Sequence, residues 1–294
     1  MRAKDHPVRL GKPKWLRRKL PTGPQYEEIK KLMKDNCLTT VCREAQCPNQ
    51  FECYSKGTAT FMILGERCTR NCMFCAVAHG PEEPPDAKEP ERVAAAVKTM
   101  GLKYSVITSV TRDDLEDGGA AIFAETVKAI RRVSPATLIE ILIPDLQGNW
   151  DALQTIVAAS PDVLNHNVET VPRLYPEVRP LAVYGRSLEL LAMVKKFNPQ
   201  MVTKSGVMLG LGETQEEILQ VMDDLLQVQC DILTLGQYLQ PSKKHLAVEE
   251  FVTPQIFDEL KKTALNKGFA GVASGPSVRS SYEAENLYRE VITK

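Results

Sequence analysis

The chain has 294 residues, with 37 lysines and arginines against 37 aspartates and glutamates, so its net charge is zero at neutral pH and leaves no basic footprint for a nucleic acid. No apolar run approaches the roughly 20 residues that cross a bilayer, and the length suits one large α/β domain or two small ones. Met1-Arg-Ala-Lys-Asp-His-Pro7 lacks the apolar stretch of a secretory signal, which points to the cytoplasm, and eight cysteines in such a chain read as metal ligands or buried thiols rather than disulfides.

Residues 1 to about 57 show no regular alternation of strand and helix. Lys12-Pro-Lys-Trp-Leu-Arg-Arg-Lys-Leu-Pro21 reads as an extended arm anchored by Trp15 and Leu16, because its prolines interrupt a helix. Tyr26, Ile29, Leu32 and Met33 have the spacing of a helix face. Cys42, Cys47 and Cys53 follow at C-x4-C-x5-C with a turn at Pro48-Asn49, and three thiols in so short a span can wrap one metal centre. Cys37 and Cys230 stand apart and read as small core residues.

From residue 58 a strand and helix alternation repeats six times. Apolar, β-rich runs lie at 58–64, 104–109, 137–143, 162–166, 201–209 and 231–236; amphipathic stretches follow near 90–100, 119–132, 150–159, 186–197, 214–229 and 254–267. A seventh run, Phe269-Ala-Gly-Val-Ala273, ends the series. Such a series gives parallel pairing, and six repeats are fewer than the eight that close a full barrel. The expected fold is therefore α/β, a partial (β/α)6 TIM-like barrel with an open side.

Chemistry on this scaffold collects at the carboxyl ends of the strands. After the first strand stands Cys68-x3-Cys72-x2-Cys75, and three thiolates on one loop can each hold one iron of a cubane, leaving the fourth iron without a protein ligand. A zinc site of Cys68, Cys72, Cys75 and His79 is the competing reading. The second strand leads to Asp113, Asp114 and Asp117-Gly118-Gly119, where Gly118 and Gly119 would let a helix start approach a carboxylate. The third ends at Pro144-Asp145. In Asn165-His-Asn-Val-Glu169 the strand period puts Asn165, Asn167 and Glu169 on one face, suited to a ribose or an amino acid, or else to a satisfied polar layer. His166 points the other way, as a general base or a hydrogen-bonded structural residue. Lys204 lies within an apolar strand and needs a partner or a bound anion. Thr214 is either a helix cap or a ligand contact. Gly236-Gln-Tyr238 and Gln240-Pro-Ser-Lys-Lys-His245 complete the rim.

The Cys68 loop is similar to that of radical S-adenosylmethionine enzymes. Taken with the Cys42 triplet, Asn165-His-Asn-Val-Glu-Thr170, Lys204-Ser-Gly-Val-Met-Leu-Gly-Leu-Gly-Glu-Thr214, Gly236-Gln-Tyr-Leu-Gln-Pro-Ser242 and Arg279-Ser-Ser-Tyr282, the chain resembles the lipoyl synthases from Lys12 to Tyr282. Tyr54, where many members have tryptophan, Leu181 in place of a common glycine, and Arg43 in place of an acidic residue depart from the pattern without touching a ligand position.

The resemblance implies two [4Fe-4S] clusters and S-adenosyl-L-methionine as cofactors. Cys68, Cys72 and Cys75 would hold the cluster that cleaves S-adenosylmethionine to a 5′-deoxyadenosyl radical. Cys42, Cys47, Cys53 and Ser281, with Ser280 the alternative, would hold an auxiliary cluster that gives up its sulfur. Asn167, Glu169, Gly118, Gly119 and Lys204 are candidates for contacting S-adenosylmethionine, with Asp117-Gly118-Gly119 standing in for a Gly-Gly-Glu motif. The division it implies is a cluster-bearing arm at 1–57, the barrel at 58–274 and a tail at 275–294, the two extensions closing the mouth. The implied reaction is radical insertion of two sulfurs at C6 and C8 of a protein-bound octanoyl-lysine. Its partners would be octanoylated lipoyl carrier domains, namely 2-oxoacid dehydrogenase E2 subunits or the glycine cleavage H protein, with ferredoxin or flavodoxin as electron donor and neither nucleic acid nor membrane. A methylthiotransferase, a biotin synthase relative and a non-catalytic iron–sulfur carrier are the alternatives.

Overall fold

Runs rich in Val, Ile, Phe and Thr bury both faces of an extended chain, and here they alternate with helices long enough to make parallel crossovers. The computed structural model describes residues 11–16, 23–81 and 83–293. Its arm contributes α1 (Pro24–Asp35), β1 (Thr39–Thr40), α2 (Val41–Glu44) and α3 (Gln50–Ser55), and the barrel begins with β2 (Thr60–Ile63). The short pair β3 (Arg67–Cys68) and β4 (Ala78–His79) frames the cysteine loop. The repeats continue through α4 (Glu89–Thr99), β5 (Tyr104–Ser109), α5 (Ala120–Val133), β6 (Leu138–Leu142), α6 (Trp150–Ala158), β7 (Val163–Asn165), α7 (Tyr175–Val178) and α8 (Tyr184–Phe197). They end with β8 (Val202–Leu209), α9 (Gln215–Gln227), β9 (Ile232–Gln237), α10 (Pro254–Lys267), β10 (Gly271–Gly275) and α11 (Ala284–Ile292).

The main sheet runs β1-β2-β5-β6-β7-β8-β9-β10, parallel throughout except for β1, and its two ends do not pair with each other. This is the partial barrel expected, and each long strand and helix lies within two residues of its expected bounds. Ile107, Ile139, Ile141, Leu164, Leu233 and Leu235 are fully buried in it. No helix among the described residues is long and apolar enough to cross a membrane.

The arm differs from expectation. Lys14–Leu16 forms a single 3-10 turn in which Leu16 is buried while Trp15 is about half exposed, so only Leu16 anchors it; residues 17–21 of the same stretch, like Met1–Pro7, lie outside the described residues. Cys37, expected in the core, is exposed at the end of α1, whereas Cys230 is buried as expected. The helix α11, for which the sequence carried no expectation, places Tyr288 6.0 Å from the Tyr104 ring at the start of β5 and buries Ala284 and Leu287.

Above Tyr104 a polar layer fills the barrel interior. Lys204 Nζ lies 2.9 and 3.0 Å from the two oxygens of Glu140, Asn165 Nδ2 donates to Glu140 Oε1 at 2.9 Å, and the Tyr104 hydroxyl donates to Oε2 at 2.6 Å. Lys204 is 1% and Glu140 0% exposed, so each needs the other. Lys204→Met should therefore cost about 3–5 kcal/mol by leaving the Glu140 carboxylate uncompensated. Urea denaturation midpoints check this: adding Glu140→Gln to the same chain should restore part of the loss, and an equal loss in both chains would contradict the pairing.

Candidate active site

The cysteine loop is held from below and from above. Between Cys68 and Cys72, the buried Arg70 reaches Asp113 at 2.6 and 2.9 Å, just beyond β5, and Asp145 at 2.6 Å, just beyond β6. Burial pushes the Asp145 carboxyl up, but the hydrogen bond and charge of Arg70 outweigh it and bring it down to about 2. Thr69 donates from both its amide and its hydroxyl to the Thr111 carbonyl at 3.0 Å. The amides of Arg70 and Thr111 each lie 3.4 Å from Cys68 Sγ. On the other side, His245 Nε2 is 2.9 Å from the Cys75 carbonyl, so it is the donor, and its Nδ1 accepts from Ser242 Oγ at 2.9 Å. Leu246 N donates to the Met73 carbonyl at 3.2 Å, so the segment after β9 clamps the loop.

The second triplet is built on two short helices. Thr40 caps α2, which carries Cys42, by accepting from Arg43 N at 3.4 Å, and its hydroxyl is 2.7 Å from the buried Tyr54 hydroxyl beside Cys53. Tyr54 thus satisfies its polar tip locally. All eight cysteines are free thiols. Burial pushes Cys42 up to about 11 and both Cys53 and Cys75 up to about 12, with neighbouring thiolates of each triplet adding to the rise; burial raises Cys72 as well. Such thiols give up protons readily only to a cation bound among them.

Both triplets open on one cavity of about 490 Å³, lined by Cys42, Cys47, Cys68, Cys72, Cys75 and Ser281. Cys53 lies outside the lining, close enough to Cys42 and Cys47 for their charges to act on it. Asn167 and Glu169 also face the cavity, and Asn167 Nδ2 donates to Glu169 Oε1 at 3.1 Å. Glu169 has φ +66, a strained conformation fixed by its amide on the Gly206 carbonyl at 2.9 Å and by Met208 N on its own carbonyl at 2.8 Å. Burial raises the Glu169 carboxyl above its ordinary range, against the opposing charge of Arg179. Arg179 is itself buried, with Nη1 on the carbonyls of Asn167 and Val168 at 3.0 and 3.2 Å.

The tail closes the mouth because two strand positions lack side chains. A Cβ on Gly236 would stand 2.2 Å from the Val278 carbonyl, and one on Gly206 would stand 2.8 Å from Asn167 Oδ1 and 3.0 Å from Ser280 Oγ. Ser280 Oγ donates to Asn167 Oδ1 at 2.8 Å, while the Ser281 hydroxyl, at the cavity wall, has no hydrogen-bond partner among the described residues. Asn49 Nδ2 donates to the Ser277 carbonyl at 2.7 Å, and the Tyr282 hydroxyl to Glu52 Oε1 at 2.8 Å.

Three expected contacts fall elsewhere. Gly118 and Gly119 do not line the cavity; a Cβ on Gly119 would stand 2.2 Å from Leu64 Cδ1 and one on Gly118 3.0 Å from Leu146 Cδ2, so both serve packing, and Asp117 caps α5 through the amides of Gly119 and Ala121 at 2.8 Å. Lys204 is also outside the cavity, neutralised by Glu140 rather than by a bound anion. Asn165 shares its face with Asn167 and Glu169 but lies a layer deeper, in the same Glu140 cluster.

His166 is structural, with Nδ1 2.8 Å from the Ile143 carbonyl and Nε2 3.0 Å from Ser187 Oγ. His79 is exposed on β4, so the Cys3His set does not form; among the described residues no three His, Cys, Asp or Glu side chains are placed to hold a single ion. A cubane spreads its thiolates over separate corners and so needs a wider set. Thr214 is a helix cap, sharing a capping box with Glu217. Sequence reasoning passed over Arg70 and Arg179. The available signal was an arginine between two cysteines, followed by aspartates at two strand ends.

An open parallel barrel with a C-x3-C-x2-C loop at its strand ends defines a radical S-adenosylmethionine enzyme, and the Radical SAM superfamily model matches residues 62–225. The chain belongs to the lipoyl synthase family: the model for the N-terminal domain of lipoyl synthase matches residues 1–47. It is 66% identical to a lipoyl synthase of Desulfotalea psychrophila, covering 98% of this chain and 96% of the relative, and 55% identical to that of Bacillus subtilis, covering 100% and 98%. Among solved structures it is similar in fold to Streptococcus suis SuiB bound to S-adenosylmethionine, with a TM-score of 0.58, 10% identity, and 76% and 53% of the two chains covered.

The buried His166 yields a pH prediction. Desolvation lowers it from 6.5 to about 4, so between those values the unfolded chain binds a proton that the folded chain does not. Its contribution is fully present above about pH 6.5 and is lost as pH falls toward 4. In His166→Gln, stability plotted against pH across this window should lose the slope of one proton; an unchanged slope in urea titrations would show that His166 titrates normally.

Proposed function

We propose that this cavity is where two sulfurs are inserted at C6 and C8 of an octanoyl chain carried on a lysine of a lipoyl carrier domain. When bound, S-adenosylmethionine and two [4Fe-4S] clusters supply the radical and the sulfur. Cys68, Cys72 and Cys75 are the ligands of one cluster, and Cys42, Cys47, Cys53 and Ser281 of the other. The observation that carries this reading is one cavity lined by all three thiols of the first set and by Cys42, Cys47 and Ser281 of the second, with Cys53 just behind the wall. The residues fit: every thiol is free, and of the two tail serines Ser280 is engaged by Asn167 while Ser281 is available.

An unactivated methylene has no proton that a side-chain base can remove, so the chain's task is orientation and exclusion of water. Val41, Met62, Phe74, Val110, Met208 and Leu239 give the cavity apolar walls that suit an acyl chain. Asn167 and Glu169 supply polar groups for S-adenosylmethionine, and the strained Glu169 backbone keeps its carboxylate aimed at one place. We assign the arm at 1–57 and the tail at 275–294 to the auxiliary cluster and the barrel at 58–274 to radical formation. The carrier domains are 2-oxoacid dehydrogenase E2 subunits or the glycine cleavage H protein, the reductant is ferredoxin or flavodoxin, and the setting is the cytoplasm.

Anaerobic reconstitution should load about eight irons per chain. Incubated with an octanoyl-lysine peptide, reductant and S-adenosylmethionine, the protein should give a product with two added sulfurs by mass spectrometry. Cys42→Ala should still release 5′-deoxyadenosine while adding no sulfur, and Cys72→Ala should do neither. Sulfur insertion by Cys42→Ala at the wild-type rate would sink the assignment of the donor cluster.

A further inference from the structure

Ser281 is flanked by two hydrogen bonds that run to different parts of the chain. On its amino side Ser280 is tied to Asn167 of the barrel, and on its carboxyl side Tyr282 is tied to Glu52 of α3, 230 positions away. Tyr282 N donates to the Arg279 carbonyl at 2.9 Å, which makes the tetrapeptide a turn with Ser280 and Ser281 at its centre. Fixing residues 280 and 282 therefore leaves the Ser281 side chain little room to swing. Glu52 directly precedes Cys53, so one helix turn carries both a thiol of the triplet and the group that holds the tail. Lys56 supports the junction, lying 2.8 Å from Glu52 Oε1, 3.6 Å from Glu283 and 5.9 Å from the Tyr282 ring centre.

Resting on the assignment of Ser281 as a cluster ligand, we propose that Glu52, acting through the Tyr282 hydroxyl, is a positioning residue that holds Ser281 at its iron. A serine oxygen is a poorer ligand for iron than a thiolate, so its hold depends on how often the oxygen is presented to the metal. The bond to Glu52 raises that local concentration by fixing the turn. Without it the hydroxyl leaves the corner of the cluster more often, and water or a chelator takes its place. The gain or loss expected from one charge-assisted hydrogen bond corresponds to roughly tenfold in occupancy.

The test uses the full-length, anaerobically reconstituted holoprotein, with a Cys72→Ala background as a second series in which only the auxiliary cluster is read. Two quantities are measured: the rate at which a ferrous-iron chelator removes the first iron, and the [3Fe–4S] electron paramagnetic resonance signal after mild oxidation. Tyr282→Phe, which removes one hydroxyl and leaves the ring packed, and Glu52→Ala should each speed the first iron's release roughly tenfold and enlarge the signal. Glu52→Gln, whose amide oxygen still accepts, should stay near wild type. Combining Glu52→Ala with Ser281→Ala should release iron no faster than Ser281→Ala alone. Wild-type rates in Tyr282→Phe and Glu52→Ala, alongside faster release in Ser281→Ala, would overturn the positioning role, as would additive rates in the double variant. A wild-type rate in Ser281→Ala itself would overturn the ligand assignment on which the inference rests.

Discussion

Arg70 sits buried in the cysteine loop with its guanidinium shared between Asp113 and Asp145, two carboxylates that follow neighbouring strands of the barrel. A buried ion cluster of this kind contributes little net stability, because desolvation offsets attraction, but it permits one geometry only. Asp145 is fully buried, so a loop displaced from it would leave its charge only the longer contact to Arg186 at 3.5 Å. This ion cluster thus fixes the position of Cys68, Cys72 and Cys75 relative to β5 and β6, together with the Thr69 bonds to Thr111 and the packing of Phe74 and Val77 on the core. The clamp from His245 and Leu246 then fixes the far side of the same loop against the segment after β9.

The barrel interior is arranged in two polar layers with different purposes. The deeper one joins Lys204, Glu140, Asn165 and Tyr104 and is satisfied within itself, apart from Asn165 Oδ1. The upper one, Asn167 and Glu169, faces the cavity and reaches the tail through Ser280. A period of two along the chain from Asn165 therefore passes from a closed structural group to one that faces the cavity within a single step. His166, between them in sequence, points to α8 and serves packing, kept neutral by burial.

The barrel was legible because parallel strands buried on both faces leave unbroken apolar runs, and the intervening helices keep a clear amphipathic period. The triplets were legible because thiol spacing is itself a geometric constraint. What the sequence concealed depended on partners far away along the chain. Lys204 carries no local mark that Glu140 would neutralise it, and the glycines at 118 and 119 look the same whether they admit a ligand or the side chains of Leu64 and Leu146. The short helices α2, α3 and α7 and the 3-10 turn at Lys14–Leu16 are too brief to show periodicity, and α11 was passed over although its apolar face is well defined. Nor does the sequence mark which of Ser280 and Ser281 is engaged by Asn167, a hydrogen bond that only the assembled mouth provides.

The bonds from Asn49 to Ser277 and from Glu52 to Tyr282 join residues 228 and 230 positions apart. Closing a loop of that length carries an entropic cost of about 5 kcal/mol, and contacts of such long range form late in folding. During synthesis the thiols of the arm and then those of the barrel emerge well before Ser277 and Tyr282 do. A nascent chain accordingly passes through a stage in which both thiol triplets are made and the mouth is uncovered, and translation through Tyr282 is what turns an open vessel into a sealed one.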